Sequence, residues 1–123
     1  MSLTDRISAR LILDRTTVSV ECSPLAKVLG LFTSQSIPLR NVTRVSLVED
    51  PIRCLAGARS PGFALPGLAK VGIWRSKGKA TFVIVRRGQR AVFIEAEGQR
   101  YDAYLVGLDD APAYVRMLEA TRS

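Results

Sequence analysis

Three apolar runs, Lys70-Val71-Gly72-Ile73-Trp74-Arg75, Ala80-Thr81-Phe82-Val83-Ile84-Val85-Arg86 and Ala91-Val92-Phe93-Ile94-Glu95, decide how the chain folds. They are separated by the basic tripeptides Lys77-Gly78-Lys79 and Arg87-Gly88-Gln89. β-Branched and aromatic residues dominate each run. Phe82 and Ile84 fall on one face, as do Val92 and Ile94 on the next run. A glycine between polar residues is a tight-turn signal, so the expectation is a β meander over 70–75, 80–86 and 91–95. Just upstream, Ser60-Pro61-Gly62 and Leu65-Pro66-Gly67 punctuate residues 52–68. These read as a long structured loop with a short strand at 52–56, and long loops in compact domains often carry function.

Outward from this centre, the period of two continues. Ile7, Ala9, Leu11 and Leu13 alternate with Ser8, Arg10 and Asp14, and after Arg15-Thr16-Thr17 so do Val18, Val20 and Cys22 with Ser19 and Glu21, predicting a first hairpin. Val42, Val45, Leu47 and Val48 predict a third strand ending at Glu49-Asp50-Pro51. On the far side, Glu97-Gly98 marks a turn, and Tyr101, Ala103 and Leu105 alternate with Asp102 and Tyr104. The expected total is about seven strands in this chain. The period then changes. Ala111, Tyr114, Val115 and Leu118 recur as one face of an amphipathic helix, with Asp109 or Asp110 expected as its cap and Pro112 in its first turn.

Residues 25–32 fit neither period. Val28, Leu29, Leu31 and Phe32 crowd together too closely for one alternating face. Two expectations follow: the segment crosses an open end of the sheets and buries both faces, or it forms an interaction surface for self-association.

A chain of 123 residues with 47% hydrophobic content suits one domain over 1–123, with residues 1–6 expected outside its ordered part. No apolar run reaches membrane-spanning length, and the start lacks a secretory pattern. The expected location is the cytoplasm, with a tether to the inner membrane if the chain is a piece of a longer protein. The chain has no histidine, which excludes Ser-His-Asp and Cys-His catalysis and His-containing metal sites. Cys22 and Cys54 have no CxxC or Cys/His companions and read as buried apolar residues. Glu49-Asp50 would point to opposite faces of a strand, which suits cooperative acid–base work poorly. No enzyme activity, cofactor, metal or small-molecule substrate is expected.

Charge is distributed unevenly. Between Pro51 and Ile94 stand Arg53, Arg59, Lys70, Arg75, Lys77, Lys79, Arg86, Arg87 and Arg90, and no acid at all. The whole excess of +7 comes from this stretch. The anion-binding candidates are Arg75, Lys77 and Lys79 at one turn and Arg86, Arg87 and Arg90 at the next. Successive turns of a meander lie at opposite ends of its strands, so two clusters are expected rather than one patch. The competing reading is solvated turns and edge charges that discourage aggregation.

The run Leu65-Pro66-Gly67, Gly72-Ile73-Trp74, residues 80–85, residues 91–94 and the closing Asp109-Asp110-Ala111-Pro112 helix resembles the bacterial pleckstrin-homology-like domains. The resemblance covers about half of the chain, and the order of the elements carries it. It implies a mainly β fold, a barrel of two packed antiparallel sheets capped by one C-terminal helix. It carries over no catalytic residue and implies a binding or assembly module. Phosphoinositide-binding members gather their cations around the turn between the first two strands, whereas here that turn offers Arg15 beside Asp14. A five-stranded OB-type barrel is the runner-up, and a seven-strand count with a terminal helix weighs against it. The expected function is therefore non-catalytic protein interaction or homo-oligomerisation. The alternative is peripheral binding to anionic membrane lipids through the basic turns 75–90, with nucleic acid ranked below lipid.

Overall fold

A computed structural model describes residues 6–30, 35–53, 58–65 and 68–122, and these build two β-sheets, two α-helices and a short 3-10 turn at Leu39–Asn41. The first sheet begins with the expected hairpin, β1 (Ala9–Leu13) and β2 (Thr17–Cys22), in which Leu11 faces Val20 and Leu13 faces Val18. Asp14 organises the turn. One carboxylate oxygen accepts from the amides of Thr16 and Thr17, each at 2.8 Å, and the other accepts from the Thr17 hydroxyl at 2.9 Å. These bonds favour the ionised form and hold the Asp14 carboxyl below its ordinary range.

Ser23 ties the next element to the chain start. Its hydroxyl donates to the Arg6 carbonyl at 2.6 Å and accepts from the amides of Ser8 and Ala26. The bond to Ala26 is an N-cap for the short helix α1 (Pro24–Gly30), whose proline occupies a first-turn position where no N–H is needed. Arg6, expected outside the ordered part, is thus tied to Ser23 and followed by buried Ile7, while residues 1–5 lie outside the described residues. β3 (Gln35–Pro38) then pairs with the free side of β2 and completes the sheet β1-β2-β3. The sequence pattern did not predict this four-residue strand.

The second sheet contains β4 (Val42–Val48), β5 (Ala58–Leu65), β6 (Ala69–Ser76), β7 (Lys79–Arg86), β8 (Arg90–Ala96) and β9 (Ala103–Leu108), in the order β4-β8-β9-β7-β6-β5. Two expectations are corrected here. Residues 58–65, read as loop because of Pro61 and Gly62, form β5 against β6, with a register irregularity between Arg59 and Gly62 that accommodates those residues. The meander also fails at its third strand: β6 and β7 form a hairpin, but β8 does not pair with β7. β9 inserts between them, parallel to β7 and antiparallel to β8. Burial explains this position, because every residue of β9 is buried and a central slot covers both of its faces.

The fold is mainly β, with two sheets and a C-terminal helix, and the sheets do not close into the expected barrel. Nine strands are described rather than seven, and one pair of neighbours is parallel. Helix α2 (Ala111–Arg122) begins where the Asp110 carbonyl accepts from the Ala113 and Tyr114 amides, and it packs on β4 and β8. Among the described residues, no helix is long and apolar enough to cross a membrane.

The main core lies between the small sheet, the helices and one face of the large sheet. Val18, Val20, Ile37, Phe82, Ile84, Ile94, Tyr104 and Leu118 are buried there. Phe82, Tyr101 and Tyr104 form an aromatic cluster with centroids 5.7–6.0 Å apart. Each such ring contributes about 2–3 kcal/mol of burial. On the opposite face of the large sheet, Trp74, Val83, Val85, Ala91 and Leu105 form a second buried cluster. Trp74 is thus a core residue.

Candidate functional site

Strand directions determine where the charges gather. β4, β7 and β9 run the same way, so their C-terminal ends meet the N-terminal end of β8 at one edge of the large sheet. The residues just beyond these ends enclose a cleft of about 720 Å³. Arg86 and Arg87 come from the end of β7, Arg90 from the start of β8, Asp109 from beyond β9, and Glu49, Asp50 and Arg53 from the segment after β4.

Backbone bonds fix the turn that carries three of the arginines. The Arg87 amide donates to the Leu68 carbonyl at 2.7 Å, the Gln89 amide donates to the Arg86 carbonyl, and Gly88 takes φ 87°. Because β9 lies between β7 and β8, this link must step across two strand spacings, roughly 10 Å, rather than close a hairpin. Gln89 makes the crossing over β9. Its amide Nε2 donates to Asp109 Oδ1 at 2.8 Å. On the other wall, Lys70 donates to the Ile52 carbonyl at 2.7 Å and holds the segment bearing Arg53 against β6.

Two of the four arginines already face carboxylates. Arg53 is 3.6 Å from Asp50, and Arg86 is 3.9 Å from Asp109. Arg86 is the recessed one, with a side chain 19% exposed against 85% for Asp109. Among the described residues, Arg87 and Arg90 make no ion pair. The acid-free stretch of sequence is therefore not an acid-free surface: the fold places Glu49, Asp50 and Asp109 beside its cations. Of the two expected cap residues, Asp110 stands immediately before α2, where its carbonyl accepts from the Ala113 and Tyr114 amides, while Asp109 lines the cleft and accepts from Gln89.

The other candidate turn lies at the far end of β7, an eight-residue strand spanning roughly 25 Å. Arg75, Lys77 and Lys79 are all exposed there, and Lys77 and Gly78 both take positive φ, 54° and 79°. The two basic clusters are thus separate, and no cation from 75–79 reaches the cleft. Of the apolar candidates, Val28 stands 69% exposed on α1. The side chain of Leu29 and all of Leu31 and Phe32 lie outside the described residues, as does Cys54. Cys22 is buried, and burial pushes its thiol up to about 11.

Sequence reasoning marked Arg86, Arg87 and Arg90, but it could not place Arg53, Glu49 and Asp109 beside them, since only the strand order joins these positions. Among the described residues, no group of three or more His, Cys, Asp or Glu side chains is placed to hold a metal ion. No protein-family model, curated protein or solved structure matches the chain.

Proposed function

We propose that this protein is a non-catalytic binding module of pleckstrin-homology-like organisation, and that it engages an anionic segment of a partner protein in the arginine cleft. One observation carries this reading: four arginines from two separate places in the chain, Arg53 after β4 and Arg86, Arg87 and Arg90 at the β7–β8 link, line one cleft at the strand ends of the large sheet. Guanidinium groups present planar paired donors to carboxylate and phosphate oxygens, and a fixed turn reduces the cost of holding them in place. The strands-then-helix order supports the pleckstrin-homology-like frame, and the parallel β7–β9 pair departs from its antiparallel pattern.

The acids in the cleft favour a protein over a uniform polyanion. Glu49, Asp50 and Asp109 would repel a flat acidic membrane or a phosphate backbone, while a protein segment can offer complementary donors beside its anion. Lipid association through Arg75, Lys77 and Lys79 is the second reading. Three surface cations supply about 3 kcal/mol near an acidic membrane, which is weaker than a single acyl chain provides. Self-association through Val28 is a third contact of the same non-catalytic class, resting on its exposure.

Titration at low salt with a peptide that sets isolated glutamates among serine and asparagine residues tests the proposal. Binding that is lost in Arg87→Glu/Arg90→Glu but kept in Lys77→Glu/Lys79→Glu is the expected result. Equal loss in both variants would reduce the cleft to ordinary surface charge.

A further inference from the structure

Resting on that reading, we infer that the anion seated in the cleft is a single phosphoryl group carried on a peptide side chain, held between Arg87 and Arg90. The charge inventory points this way. Arg53 and Arg86 face Asp50 and Asp109, whereas Arg87 and Arg90 are exposed and make no ion pair among the described residues. Two guanidinium groups flanking one glycine turn match the charge of a phosphate monoester, about −1.5 to −2 at neutral pH, better than that of one carboxylate.

The cations lining the cleft are all arginine. Lys70, the nearest lysine by register, is engaged by the Ile52 carbonyl. Arginine is the side chain whose donor fork fits phosphate oxygens in pairs. A cleft of about 720 Å³ has room for a phosphoryl group and the residues beside it. Glu49 completes the selectivity. It follows Val48, which pairs with Ala91, so it stands next to Arg90 on the rim and opposes any second anion beside the first. A locally concentrated dianion is tolerated there, and a run of acidic side chains or a phospholipid surface is not.

Four probes decide the question at neutral pH: a glycine-serine peptide with one phosphoserine, the same peptide unphosphorylated, an equally long glutamate peptide, and phosphatidylcholine vesicles containing phosphatidic acid. The phosphopeptide should bind at least about tenfold tighter than either other peptide, and Arg87→Gln and Arg90→Gln should each weaken it by about tenfold or more. Glu49→Gln should tighten it. Amide exchange and thermal melts confirm that these exposed-site variants stay folded. If the glutamate peptide binds the cleft as well as the phosphopeptide, the phosphoryl inference is overturned and the anionic-partner reading stands. Binding only to vesicles overturns the inference and makes the site a lipid contact. If no probe binds at the cleft, both readings fail.

Discussion

Gln89 lies directly over Gly107: a β-carbon on Gly107 would sit 2.9 Å from Gln89 Oε1. The same β-carbon would meet the backbone of β7, 3.3 Å from Val85 Cα and 3.4 Å from the Ile84 carbonyl oxygen. Gly107 is thus the point at which β9 passes beneath the β7–β8 link, and the cleft wall depends on its missing side chain.

Gly107→Ala should therefore destabilise the domain by about 1–3 kcal/mol, as overpacking does. Adding Gln89→Ala should recover only part of the loss, because the backbone contacts remain. Chemical denaturation of the single and double variants measures both effects.

Lys77 pays for its backbone shape. It takes φ 54° in a two-residue hairpin turn, a conformation that costs a non-glycine residue about 1–2 kcal/mol unless its side chain helps locally. Lys77→Asn, which restores the favoured Asn-Gly pair, should raise stability by roughly 0.5–1 kcal/mol. The cleft is at the other end of β7, so the binding of anionic peptides should not change.

The Cys22 thiol should be inert at pH 8. Burial raises it from an ordinary 9.0 to about 11, so the folded state holds its proton more tightly than the unfolded state does. The stability contributed by this difference is fully present below pH 9.0 and is lost as pH rises toward 11. In a Cys54→Ser variant, Ellman's reagent should react with Cys22 only as fast as the protein opens. Rapid reaction under native conditions would contradict the burial.

Much of this was legible in the sequence. Phe82-Ile84 and Val92-Ile94 alternate as strands should, and β6, β7, β8 and α2 appear where their patterns predict. Pairing was not legible, because a glycine turn says that the chain reverses but not which strand fills the space between. The available signal was residues 103–108, apolar at every position, which marks a strand covered on both faces. Residues 58–65 were hidden by Pro61 and Gly62, which ordinarily argue against a strand and here sit where the register with β6 shifts. The site was half visible: Arg87 and Arg90 stood out by local charge, while Arg53, Glu49 and Asp109 join them only through strand order.

The most direct test of the central claim is amide chemical-shift mapping with the phosphoserine peptide. The account predicts perturbations concentrated at Glu49, Asp50, Arg53, Arg87, Gly88, Gln89, Arg90 and Asp109, with Lys77 and Gly78 unmoved. Perturbations centred on residues 75–79, or scattered evenly over the basic surface, would contradict it.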